Sequence, residues 1–161
     1  VGGTLWDGTG APPILDAVII VSGHRIERAA CLNEVSVPRG ASEVRLDGKW
    51  IIPGLIDAHA HAARWTLTRY LAYGITSARD MGGLQDSILA LRNAVSLRSI
   101  AGPDLYISGA IIEAAPTDRP WVQRVGSPET ARRAVDQLVL INAPGKGLRP
   151  DRFSAAGGDH G

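Results

Sequence analysis

Cysteine is nearly absent from this chain of 161 residues: Cys31 stands alone. One thiol excludes a disulfide framework and a cysteine-based zinc cluster. Its place after Ala29-Ala30 reads as an ordinary buried thiol in a small apolar patch. Aromatics are scarce as well, at 5%, and no basic stripe is interleaved with them. With 17 basic and 16 acidic residues the formal charge is +1. Nothing in that balance points to nucleic acid or to an anionic membrane surface. No window approaches about 18 uninterrupted apolar residues, so no membrane-spanning helix is expected. The chain opens on Val1 rather than Met, and the expectation is that the natural start, with any leader, is missing. The expected compartment is the cytoplasm.

What is present is a globular composition, 45% hydrophobic and 20% charged. The length suits one ordinary domain or a piece of a larger one. Residues 1–50 read as short strands and turns, taken as a small antiparallel sheet. Ala17-Val18-Ile19-Ile20-Val21 is a β-branched run, Ser22-Gly23-His24 a turn, and Arg25-Ile26-Glu27 resumes the alternation. Val44-Arg45-Leu46 alternates again.

The pattern changes at Trp50. Residues 50–57, Trp-Ile-Ile-Pro-Gly-Leu-Ile-Asp, form a nearly continuous apolar run, which suits a strand buried on both faces of a parallel sheet. Helices and strands then alternate. A short helix is expected over 65–73, a strand over 75–80 and a loop at Met81-Gly82-Gly83. Leu84, Ile88, Leu91 and Val95 mark one face of a helix over 84–100, stopped by Gly102-Pro103. A third strand follows over 105–109. Ser127-Pro128 opens another helix, with Ser127 as N-cap and Ala131, Ala134, Val135, Leu138 and Ile141 on its buried face. Repeated strand–helix units imply parallel strands and an α/β fold.

The chemistry concentrates in Asp57-Ala58-His59-Ala60-His61. The chain has 4 histidines, and two of them lie two residues apart. Side chains along a strand alternate between faces, so His59 and His61 project from one face and can converge on one cation. Asp57 shares that parity one step deeper, where a carboxylate can orient a ligand from behind. The pair closes an apolar strand, and the carboxyl ends of strands are where βα barrels place their chemistry. Asp80 ends the next strand near the same place. It can serve the pocket, or simply be a strand-end carboxylate satisfied by loop N–H groups. Arg79 has the opposite parity and reads as structural. His24 sits in a hairpin turn, where solvation is expected.

Three stretches together resemble the amidohydrolases of the imidazolonepropionase-like and prolidase-like group. Residues 2–10, Gly-Gly-Thr-Leu-Trp-Asp-Gly-Thr-Gly, are similar to that group's opening. Residues 49–61, from Lys49 to His61, resemble its first barrel strand with the metal motif. Residues 73–83, from Tyr73 to Gly83, resemble the second strand and its loop. The resemblance covers residues 1 to about 143 in the expected order. It implies an N-terminal fragment of a metal-dependent hydrolase: part of a small β-sandwich over 1–50, then the first three βα units of a (β/α)8 TIM barrel over 51–143. It implies one or two divalent metals, most often zinc, held in part by His59 and His61. It also implies a small amide or dipeptide-like substrate cleaved at a carbon–nitrogen bond by metal-activated water. An oligomer is compatible with it.

The group also uses a bridging lysine on the fourth strand, two further histidines and a proton-shuttling aspartate, and none can be matched here. His160 lies in a Gly-rich tail, and Lys146 is in a loop and is not assigned as the bridge. Residues 144–161 break all periodicity and read as an irregular tail. As a hypothesis, reading residues 144–152 one nucleotide later permits Gln-Val-Lys-Ala-Tyr-Ala-Arg-Ile, a fourth strand with its lysine. Three strands and two ligands leave both barrel and site incomplete, so this chain is expected to be inactive. The alternative is a non-catalytic remnant, or a metal-binding or interaction module.

Overall fold

The computed structural model describes residues 1–114, 116 and 118–142. The tail over 144–161, with His160, Lys146 and the shifted-frame reading, lies outside the described residues. The chain divides into two compact units, Val1–Pro53 and a second one beginning at Gly54.

In the first unit, β1 (Gly3–Leu5), β2 (Ile14–Ser22), β3 (Arg25–Cys31) and β4 (Trp50–Ile51) form one sheet in the order β3-β2-β1-β4. The expected hairpin forms β2 and β3, joined at Gly23-His24. Gly23 takes φ +59°, the conformation that glycine supplies at the first position of a type II′ turn. His24 is exposed there. The sheet is mixed rather than wholly antiparallel, because β4 runs parallel to β1. Gly3 permits that pairing: a Cβ on it would lie 3.0 Å from Ile51 Cδ1 and 3.1 Å from the Lys49 carbonyl. The expected strand at Val44–Leu46 does not form. Those residues bond instead to the first residue, whose ammonium donates to the Val44 carbonyl (2.7 Å) and whose carbonyl accepts from Leu46 N–H (2.9 Å). Cys31 is only partly buried, since it ends an outer strand of this sheet.

The apolar run at 50–57 is two strands, not one. Trp50–Ile51 belongs to the first sheet, and β5 (Leu55–Ala60) opens the second unit. Pro53 lacks the N–H that a continuous ladder would need, so the run divides there. Gly54 follows against Thr76, where a Cβ would lie 2.5 Å from Thr76 Cγ2 and 2.8 Å from Thr76 Cβ. Nor is β5 buried on both faces: Ile56 is 72% and Leu55 49% exposed, while Ala60 at its carboxyl end is buried. Among the described residues β5 is the outer strand of its sheet, and its amino end lacks cover.

The second unit is built on a parallel sheet in the order β5-β6-β7, with β6 over Ile75–Asp80 and β7 over Asp104–Ile107. Helices α1 (Leu67–Ala72) and α2 (Gln85–Ser96) connect successive strands, the usual crossover between parallel neighbours. Their apolar stripes meet the sheet in one core of Ala60, Leu67, Ala78, Ile88, Val95, Leu105 and Ile107. The fold is therefore α/β, as expected. Of the stripe assigned to α2, Ile88 and Val95 are buried and Leu91 packs against the core, but Leu84 is exposed because it precedes the helix in extended backbone. The helix also stops short of residue 100. Arg98 turns into left-handed backbone at φ +56°, and the Ser99 hydroxyl donates to the Ala94 carbonyl at 2.9 Å.

Beyond β7 lie two strands the sequence did not announce, β8 (Ile111–Ala114) and β9 (Val122–Val125), paired parallel. Then α3 runs over Pro128–Asn142. Ser127 caps it: its Oγ accepts from Thr130 N–H at 3.3 Å, and Thr130 Oγ1 accepts from Ser127 N–H at 3.0 Å. Of its expected buried face, Ala134 is buried whereas Val135 is 50% exposed, since α3 packs mainly on β9. Replacing Ser127 by alanine is expected to cost about 0.5–2 kcal/mol, the usual value of such a cap. A lowered urea midpoint with an unchanged slope would register it; an unchanged midpoint would show that the cap contributes nothing.

Candidate metal centre

The carboxyl ends of β5 and β6 meet in one place because the strands are paired parallel, with Ala60 opposite Asp80. The chain leaves β5 directly into His61, and leaves β6 into Met81-Gly82-Gly83. Met81 N–H donates to the Ala60 carbonyl at 2.9 Å, which carries the pairing one residue past the strand. His59 and His61 lie side by side at the end of β5, where the register with β6 shifts between Asp57 and Ala60, with ring centroids 5.7 Å apart and planes at 70°. Both side chains are exposed.

The two rings differ in what holds them. Nδ1 of His61 lies 2.9 Å from the Gly82 carbonyl. A carbonyl can only accept, so this contact assigns the proton to Nδ1 and leaves the Nε2 lone pair free. His59 is steadied through its main chain: its N–H donates to Asp57 Oδ1 at 3.1 Å. Asp57 thus holds the backbone that carries a candidate ligand rather than the imidazole itself.

Asp80 is 2% exposed, and each of its carboxylate oxygens accepts a hydrogen bond. Oδ2 accepts from Ala62 N–H at 2.7 Å, and Oδ1 accepts from Gly82 N–H at 2.9 Å. Burying a carboxylate is costly unless such bonds compensate. No buried side-chain polar atom among the described residues lacks a partner. Arg79, of opposite parity on β6, is exposed.

Sequence reading did not mark Tyr70 or Trp121. Tyr70, on α1, is partly buried against the core, and burial pushes its phenol above the ordinary value, with the negative charges of Asp57 and Asp80 adding to the shift. Trp121 joins His61, Arg64, Asp80, Leu84 and Ile88 around an open cavity of about 950 Å³. Neither contact leaves a local signature: Tyr70 reads as part of a helical stripe, and Trp121 approaches from 60 positions along the chain from His61.

Two imidazole nitrogens at about 2.0–2.1 Å from one zinc, at a tetrahedral angle, set ring centroids about 5 Å apart. The observed separation of 5.7 Å is close to that distance. Among the described residues no cluster of three or more histidine, cysteine, aspartate or glutamate side chains surrounds such a position. No helix there is long and apolar enough to cross a membrane.

No protein-family model matches the sequence, and no curated protein does. Solved structures do. A Bifidobacterium longum protein described as a prolidase matches with 26% identity and a TM-score of 0.68 over 86% of this chain. A prolidase complexed with N-methylphosphonate-L-proline matches with 22% identity and a TM-score of 0.73 over 88%. A bottromycin amidohydrolase shares the fold at 21% identity and a TM-score of 0.58 over 86%. The chain spans 37%, 43% and 29% of those three proteins respectively. It accordingly shares the fold of these hydrolases over less than half of each one's length. Among these three, sequence identity is greatest with the Bifidobacterium protein.

Proposed function

We propose that this chain carries the first metal-binding strand of a metal-dependent amidohydrolase. The second unit would be the opening part of a (β/α)8 barrel, and the first unit part of a small β-sandwich. His59 and His61 would hold a divalent transition metal such as zinc, which two imidazole ligands suit. Asp57 and Asp80 would stand behind them. The observation that carries this reading is the bond between His61 Nδ1 and the Gly82 carbonyl, which leaves Nε2 as the ligating nitrogen of a ring that lies beside His59. Metal-bound histidines commonly donate their other ring N–H to such an acceptor.

A cation there would supply a more acidic bound water and polarisation of a substrate carbonyl. This chain's own part is to hold the two imidazoles at one end of the parallel sheet. The prolidase relatives support a small dipeptide-like or amide substrate split at a carbon–nitrogen bond. The cavity beside His61, walled by Leu84, Ile88 and Trp121, would receive an apolar portion of it. Catalytic zinc usually has three protein ligands and an open position, and the described residues supply two. The result expected of this chain is therefore metal binding without turnover.

Equilibrium dialysis against zinc, followed by assay on Xaa-Pro dipeptides and simple N-acyl amides, tests both parts. One equivalent of bound metal with no hydrolysis is expected. Absence of bound metal would remove the metal reading. Metal-dependent hydrolysis would overturn the inactivity of this chain.

A further inference from the structure

We propose that Asp80 is a positioning residue that sets which nitrogen of His61 is available to a cation, an inference that rests on the metal-pair reading. Asp80 makes no hydrogen bond to either histidine ring. Its two oxygens instead reach N–H groups on two different loops: Ala62, just past His61 after β5, and Gly82, after β6. The carbonyl of that same Gly82 accepts the Nδ1 proton of His61. The result is a closed circuit from Asp80 to Ala62, back along the chain to His61, across to Gly82, and home to Asp80. Its bonds are 2.7, 2.9 and 2.9 Å long. The main chain of Asp80 joins the clamp to the sheet, since its carbonyl accepts from Ser108 N–H at 3.0 Å.

The residue type matters. Only a carboxylate of this length offers two acceptor atoms and no donor, so both loop N–H groups are satisfied at once. Near-complete burial shields the bonds from competing water. Asparagine would keep one bond and present an NH₂ to the second N–H, two donors face to face. The loop would then shift, the Gly82 carbonyl would leave Nδ1, and the ring would be free to carry its proton on Nε2, where the cation belongs.

The test is ¹⁵N NMR of the metal-free chain, with zinc titration of wild type, Asp80→Asn and Asp80→Ala. Wild type should show His61 as the Nδ1–H tautomer, with through-hydrogen-bond couplings from the Asp80 carboxyl carbon to the Ala62 and Gly82 amide nitrogens. Asp80→Asn should show mixed tautomers and about 10–100-fold weaker zinc binding, the usual effect of losing an outer partner; Asp80→Ala should lose at least as much. A wild-type Nε2–H tautomer, or missing couplings, overturns the proposal even if both variants fail to fold. Folded variants with wild-type tautomer and affinity also overturn it, while leaving the metal pair standing. If wild type binds no zinc but its tautomer depends on Asp80, the metal reading fails and the positioning role survives.

Discussion

Replacing His59 and His61 together by alanine is expected to abolish specific binding of a divalent cation. Each single replacement should weaken it by more than the about 10–100-fold that loss of an outer partner costs. Both side chains are exposed, so neither replacement opens a cavity in the core. The singles should differ in stability. His61→Ala loses the bond to the Gly82 carbonyl, a net contribution of about 0.5–1.5 kcal/mol for an ordinary hydrogen bond, whereas the His59 ring gives up an edge contact with His61. Competition with a chelating indicator dye gives the affinity, and far-ultraviolet circular dichroism shows whether the fold is retained. Retention of one equivalent of metal by the folded double variant would place the cation elsewhere.

Gly82→Ala should damage both the fold and the pair. Gly82 sits at φ +130°, a region essentially reserved for glycine. A Cβ there would run into Ile111 Cγ1 and lie 3.2 Å from Ile111 Cδ1. Backbone strain of about 1–3 kcal/mol and overpacking of about 1–3 kcal/mol act together. Relieving the backbone strain moves the residue whose N–H donates to Asp80 and whose carbonyl accepts from His61. Loss of stability in urea, with zinc binding weakened even where the protein stays folded, is the expected outcome. Gly83→Ala is the control, since a Cβ at Gly83 meets nothing within 4 Å. Equal effects from the two substitutions would show that the loop is merely sensitive to any side chain.

The features legible in the sequence were those with short-range causes. The β2–β3 hairpin follows from a β-branched run and a glycine turn, and the start of α3 from Ser127-Pro128. The spacing of His59 and His61 suits strand alternation, and the two rings do lie side by side although His61 falls one residue past β5. Where the reading went astray, the deciding partner was distant in the chain. Trp50–Ile51 looked continuous with Leu55–Asp57, yet it pairs with β1, and the two pieces lie in different compact units. Leu55 and Ile56 looked buried because apolar runs usually are; their exposure depends on which strands flank them.

Sequence alone determined that two imidazoles would share one side of a strand end, and that parallel strands with helical crossovers would follow. Periodicity and spacing are local, so no tertiary partner is needed to read them. Only the tertiary structure decided what stands behind those imidazoles. The Gly82 carbonyl that takes the His61 proton is 21 residues away, and the Ala62 N–H that Asp80 holds is 18 residues from it. Backbone acceptors are common to every residue type and donors to all but proline, so the pairing of these loop groups leaves no mark in the sequence. It emerges when β5 and β6 align and bring the loops after them within hydrogen-bonding reach.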